Sequence, residues 1–383
     1  MSVGGWQTER MSASDDFLAT FDVTPGYLNW AAFGPLSTTV RDAAIRGVET
    51  LSTGHPTAVP TMFEHAGRVR ELLADLLHAD ADDVTLHTSS AHGLMQAFYG
   101  LTGEIVVSTA EFPAVSLIAH RAAQASAGSA LTPRWITPVD GRATPDAIAA
   151  ALDDDVTAVA VSHVDFRTGY RIDLAALRDT IGPDRLLILD AVQSFGVVDE
   201  DYTLADVVVG HGYKWLRAGR GTGFARFSPR ARECIAPVLS GITGTTADGL
   251  FVDELPEPAA SGRAYSVSMP DPLAAARFEA GLRDVRGVGV AAVERLLADR
   301  VDAVIEAADR AGVVVESPRE RAHRAGIVSL APADPQKAAQ ALSDAGVTAT
   351  ARGGSVRVAP HVGTDDETLR MLEAALRASD TPR

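Results

Sequence analysis

Two residues of opposite charge stand at the ends of apolar runs in the middle of this chain. Lys214 follows Val207-Val208-Val209-Gly210-His211-Gly212-Tyr213 and precedes Trp215. An amine delivered into a Gly-flanked turn between aromatic rings loses solvent, so its ammonium form is disfavoured and the free amine becomes a nucleophile for aldehydes. Alone, a Tyr-Lys-Trp triplet reads more readily as a snorkelling surface lysine. Asp190 changes that reading. It ends Leu186-Leu187-Ile188-Leu189, which reads as a buried parallel strand, and open α/β sheets bind ligands at that carboxyl edge. A carboxylate there serves a metal, a ribose hydroxyl or a cationic ring nitrogen. No His-x-x-x-His pair or paired-acid cluster follows, so no metal is expected, and the Gly-x-Gly-x-x-Gly turn of a ribose site is missing. The ring nitrogen is left, with Gln193 placed to hydrogen-bond a neighbouring ring substituent.

These groups need a sheet to carry them. Strand-like runs at 84–88, 105–108, 158–162, 186–190 and 206–210 alternate with helical stretches, the βαβ pattern of a parallel sheet. Thr144-Pro145 and Asp173 mark helix starts. Glycines and prolines cluster over 240–272, which reads as a long loop. Beyond it come a helix-rich stretch and strands at 313–316, 326–330, 347–351 and 356–359. Thr364-Asp365-Asp366-Glu367 fits a capping box for a last helix with Leu369, Leu372 and Leu376 inward. The expected organisation is α/β: a flexible tail at 1–16, a large domain at 17–270 with a mostly parallel sheet, and a smaller C-terminal α+β domain at 271–383. The segment 17–50 is expected to pack on the smaller domain. After the run 84–88, Ser89-Ser90-Ala91-His92-Gly93 opens a helix whose free amides and positive dipole end favour a phosphate, although Ser-rich helix starts are also common without one.

The segments Asp190-Ala191-Val192-Gln193-Ser194-Phe195-Gly196, Asp206, Gly212-Tyr213-Lys214-Trp215-Leu216 and Gly219-Arg220-Gly221-Thr222-Gly223-Phe224 resemble, in order and spacing, the class V aminotransferase family of fold-type I pyridoxal-phosphate (PLP) enzymes. That group also holds cysteine desulfurases and kynureninases. The resemblance implies PLP as cofactor, bound as an aldimine on Lys214, with Asp190 on the ring nitrogen and the phosphate on Ser90 and Ala91. Ala91 stands where a threonine is usual, and His211 where a serine or threonine often binds the phosphate. Phe112 aligns with the aromatic group that stacks on the cofactor, a histidine in desulfurases. Ser162-His163-Val164-Asp165-Phe166-Arg167-Thr168-Gly169 is similar to a kynureninase-type segment and leaves His163 near the ring face or as a buried structural residue. Arg357, in Ser355-Val356-Arg357-Val358, falls on the arginine that grips the substrate carboxylate. Asn29 and Trp30 fall on the N-terminal segment that approaches substrate. Arg277-Phe278-Glu279-Ala280-Gly281-Leu282 resembles a loop that reaches the neighbouring subunit's phosphate through a threonine, here Leu282; a homodimer is still expected.

The implied function is an amino-acid enzyme working through a quinonoid, most simply an aminotransferase. The same-fold rivals are a lyase of kynureninase or cysteine-conjugate type and, behind it, an epimerase. A persulfide-type cysteine desulfurase is expected to be excluded, because the single cysteine, Cys234, lies in an apparent helix soon after Lys214. A non-PLP rival is a nucleotide-binding α/β protein. With 34 basic and 50 acidic residues in 383, the net charge of −16 opposes nucleic acid and anionic membranes, leaving a small amino acid as partner. One cysteine forms no internal disulfide, no apolar stretch suits a signal peptide or bilayer span, and a cytoplasmic location is expected.

Overall fold

The computed structural model describes residues 12–125, 131–138, 140–247 and 254–380. Strands β1 (Val84–His87), β2 (Gly103–Ser108), β3 (Leu131–Ile136), β4 (Val156–Ser162), β5 (Leu186–Asp190), β6 (Val207–His211) and β7 (Gly223–Phe227) form one seven-stranded sheet in the order β1-β7-β6-β5-β4-β2-β3. From β6 to β3 every pairing is parallel, and β7 runs antiparallel to both β6 and β1. Residues of β5, β6 and β7 are buried throughout, as strands covered on both faces must be. β7 escapes the pattern search because Gly223-Phe224-Ala225-Arg226-Phe227 looks like a turn followed by mixed residues; burial of Arg226 beside Asp83 supplies the missing logic. β3 is similarly hidden by Pro133 and Arg134 on an edge strand.

A second sheet, antiparallel, has the order β10-β11-β9-β8, from β8 (Val314–Val315), β9 (Val328–Ala331), β10 (Thr350–Arg352) and β11 (Ser355–Val358). The N-terminal segment joins it: Tyr27 bridges Thr348 and Asn29 bridges Ala359. Of the expected tail, residues 1–11 lie outside the described residues. Ala13–Leu18 is a helix, because Ser12 and Asp15 form a reciprocal capping box and Phe17 is buried. The expected loop at 240–272 is irregular where described, with one 3-10 turn at Gly262–Tyr265; residues 248–253 lie outside the described residues.

Two local expectations are corrected. Asp365, not Thr364, caps the last helix, Asp366–Asp380, by accepting from Thr368 N at 2.8 Å, while Thr364 accepts from His361 N. The segment 277–282 is no loop: it lies within the helix Pro272–Val288, where Phe278, Leu282 and Val285 form an apolar stripe and Leu282 is wholly buried. Leu282 is therefore a core residue of this helix and not part of a loop.

Candidate active site

The carboxyl ends of β1, β2, β4, β5 and β6 open onto one edge, and the chemistry-bearing residues follow those ends. Lys214 comes three residues after β6. Its turn is held by Ala218 N donating to Gly212 O at 2.8 Å, by Gly212 N donating to Thr222 O at 2.8 Å, and by Arg217 at φ 56°. Gly34 closes over it from the N-terminal segment: Gly34 N donates to Tyr213 O at 2.9 Å, and a Cβ on Gly34 would fall 1.9 Å from the Lys214 carbonyl oxygen. The side chain, 6% exposed, carries Nζ 5.9 Å from the Phe112 ring centroid and 5.8 Å from that of Tyr213. Desolvation lowers the amine's pKa, Asp190 opposes that fall, and the charges of Arg357 and Arg220 add to it.

Asp190 is equally desolvated, and burial raises its pKa against the pull of Val192 N, which donates to Oδ1 at 2.9 Å, and of Lys214. Beside it lies Glu111, at the end of β2, which sequence reasoning missed. Burial pushes Glu111 up to about 8, with Asp190 adding to the rise and hydrogen bonds from Ser162 opposing it. Its apolar-strand-then-acid context matched that of Asp190, but two residues intervene after the strand.

At the edge strand, the helix Ser90–Gly100 starts within three residues of β1. Ser89 sits at its N-cap without the usual side-chain cap, and among the described residues the hydroxyls of Ser89 and Ser90 and the amides of Ser90 and Ala91 have no partner. Gly223 permits this geometry, since a Cβ there would lie 2.5 Å from the Ser89 carbonyl carbon. His87 and His211 flank Gly223 in register across the edge. Both are buried, with His87 Nε2 and His211 Nδ1 unpartnered among the described residues, and burial depresses both pKa values, that of His87 to about 3. His211 stacks on Tyr213 at 3.7 Å. His87 was legible only as a strand residue; its role appears once β7 is seen to pair with both neighbours.

Phe112 is 41% exposed over the lysine and meets Phe166 edge to face at 5.1 Å. Arg357 donates from Nη1 to Phe166 O at 2.6 Å, leaving its buried Nε without a partner among the described residues. Asn29 accepts from Thr350 Oγ1 at 2.9 Å, tying the N-terminal segment to β10. Trp30 is buried against His361. Gln193 donates to Ala31 O at 3.0 Å and accepts from Trp215 Nε1 at 3.1 Å, so its amide joins the N-terminal segment to the lysine turn and keeps one N–H to spare. His163 is wholly buried, 3.2 Å from Glu200 and edge-on to Tyr202, a structural position.

The unsatisfied set has three poles: hydroxyls, amides and imidazoles at a helix start, a depressed amine, and a desolvated carboxylate. It fits a ligand with a phosphate, an aldehyde and a ring nitrogen. Fold and site together define a PLP-dependent α/β enzyme. The family described as Aminotransferase class-V matches residues 50–379, and the chain belongs to it.

Among curated relatives, the kynureninase of Geobacillus thermodenitrificans is 23% identical over 354 residues, covering 88% of this chain and 81% of that protein. The kynureninases of Deinococcus radiodurans and Pseudomonas fluorescens are each 30% identical, over 57% and 53% of this chain. In those two matches the chain spans about half the length of the relative, 53% and 51%. Among solved structures, the cystine C–S lyase C-DES in complex with its reaction product cysteine persulfide has a TM-score of 0.83 at 20% identity, covering 93% of this chain and 98% of that one. The cysteine desulfurase CsdA from Escherichia coli has a TM-score of 0.80 at 16% identity, covering 97% of this chain and 99% of that one. These likenesses show the fold. They also overturn the exclusion of persulfide chemistry drawn from Cys234: desulfurases share this architecture, and on it cysteine persulfide is formed as a small-molecule product, so a protein cysteine at one place in the chain is no test. Among the described residues no helix is long and apolar enough to cross a membrane.

Proposed function

We propose that this enzyme acts on a free α-amino acid, with Lys214 moving the α-proton and Arg357 holding the carboxylate, and that its reaction is a lyase-type cleavage at Cβ. The observation that carries the first part is the desolvated Lys214 amine between Phe112 and Tyr213, with Asp190 and Arg357 both felt electrostatically at its nitrogen. Bound PLP supplies an electron sink for negative charge at Cα. Asp190 would hold the ring nitrogen, Ser89, Ser90, the Ala91 amide and His211 the phosphate, and Phe112 a ring face. Neutral imidazoles suit a phosphate without adding fixed charge, and Phe112 excludes water without moving protons. Lys214 is then the base at the site, its amine unprotonated in a useful fraction because burial disfavours the ammonium.

The lyase reading is supported by the kynureninase-like segment 162–169 and by the names of the curated relatives. A second reading, aminotransferase, is supported by the description of the family model that the chain matches; there Lys214 would serve two carbons in turn. The test is a panel of amino acids, kynurenine included, given to the PLP-loaded protein with and without 2-oxo acids. Cleavage without a 2-oxo acid supports the lyase; new amino acid formed only with one supports the transferase. A protein that PLP cannot load, or that gains no mass on the Lys214 peptide after borohydride, sinks both. The homodimer is proposed on exposed Val267 and Met269, which line a cavity of about 480 Å³ next to His87, with exposed Val238 and Ile242 on the segment that supplies its Leu239 and Ser240.

A further inference from the structure

Glu111 is buried at the carboxyl edge of the sheet, and among the described residues no Arg, Lys or His pairs with its carboxyl. A buried acid without a cation is a costly choice for a core position unless its oxygens are used. Oε2 is used twice: Ser162 donates to it from N at 3.0 Å and again from Oγ. Ser162 ends β4 and lies beside Asp190 in register. The contact therefore fastens the turn after β2 to the strand next to Asp190.

What this turn carries is Phe112. On its other side the backbone of Phe112 is held by the start of the helix Pro113–Ala125, its carbonyl accepting from Val115 N at 2.8 Å. The ring is 41% exposed and meets Phe166 by an edge, so side-chain packing alone fixes it weakly over the Lys214 amine. Its placement rests on its backbone, and the contact of Glu111 with Ser162 is the fastening one residue away.

We propose that Glu111 is a positioning residue of the Lys214 site: through Ser162 it holds the backbone of Phe112, so that the ring stays over the amine and keeps water from it. The role rests on Lys214 being the reactive amine, whichever reaction follows. It differs from that of Asp190, since the charges that act on the amine are those of Asp190, Arg357 and Arg220. Glu111 itself faces the carboxylates of Asp190 and Asp165, which together with burial favour its neutral form. A neutral carboxyl still accepts from Ser162, and so does the amide oxygen of a glutamine.

The test reads Lys214 in the full chain freed of cofactor, as capture of pyridoxal trapped with borohydride across a pH series. Glu111→Ala loosens the cover, water returns to the amine, and the acid limb of capture should move up by roughly one pH unit, a tenfold loss of free amine below it. Glu111→Gln keeps the acceptor and should hold the parent limb, which separates an effect of charge from one of the clamp. Phe112→Ala should raise the limb by itself, and adding Glu111→Ala to it should do little more. If Glu111→Ala does not fold, Ser162→Ala, which removes one of the two donors, decides by a smaller shift in the same direction. A lowered melting temperature with an unmoved limb, equal shifts in Glu111→Ala and Glu111→Gln, or shifts that add fully to that of Phe112→Ala would each overturn the proposal and leave the role of Lys214 intact. A parent protein that captures no pyridoxal on the Lys214 peptide would overturn both.

Discussion

Replacing Arg357 separates two effects that the structure couples. Its guanidinium spends one nitrogen on Phe166 O and has a buried Nε in reserve, so a substrate carboxylate would gain about two charge-assisted hydrogen bonds. Together these are worth about 3 kcal/mol, roughly a hundredfold in KM. Arg357 also depresses the Lys214 amine through its charge. Removing that charge raises the lysine pKa, leaving less free amine at neutral pH, so the acid limb of Lys214 reactivity moves to higher pH. Arg357→Ala should show both changes. Arg357→Lys keeps the charge but loses the planar fork, so KM should rise while the acid limb stays put. The first change is read from steady-state kinetics, the second from the pH dependence of PLP capture by cofactor-free protein, trapped with borohydride. If Arg357→Ala leaves both KM and the limb unchanged, the carboxylate assignment and the electrostatic coupling are both wrong.

Three further outcomes follow from the same geometry. Asp190→Asn should still bind PLP through Lys214 but lose roughly a hundredfold or more in turnover, since a neutral amide does not hold a protonated ring nitrogen; turnover near that of the parent would refute its role. Glu111 has a folded pKa raised above its unfolded value, so the folded state binds the proton more tightly and stability falls as pH rises from about 4.5 towards 8. Glu111→Gln should flatten that decline in a series of melting temperatures, by an amount on the order of a few kcal/mol, and an unchanged slope would show that Glu111 is not held neutral. Gly223→Ala places a methyl group against the Ser89 backbone and should weaken PLP retention on dialysis more than it lowers the melting temperature, with unaltered retention counting against the phosphate cradle.

The residues legible in the sequence were those whose chemistry ends an apolar run. Lys214 and Asp190 could be read because strand burial and strand end are both written locally, and a parallel sheet was expected from the same runs, although the order of β2, β4, β5 and β6 within it was not. Gln193 was found but not its work, because its partners Ala31 and Trp215 are fixed by tertiary packing. His87 and Glu111 were missed because their roles depend on which strand lies beside them. Leu282 went wrong in the opposite direction: a segment that resembles a loop by its residues is held helical by the stripe it buries. The persulfide exclusion failed because it assumed that a sulfur acceptor must belong to the protein.

The contact of Gly34 with the Lys214 carbonyl has a bearing on how the site comes into being. The N-terminal segment that ends in Gly34 is itself anchored by Thr348 and Ala359, so the cover over the lysine turn draws on both the first and the last parts of the described chain. Detaching residues 348–359 from the N-terminal segment would therefore loosen the cover over the lysine turn, and re-exposure to water would return the amine towards its ordinary ammonium character. The depressed amine thus rests on long-range packing and not on the lysine turn alone. Covalent capture of PLP would therefore report that long-range packing as well as the sheet that carries the lysine.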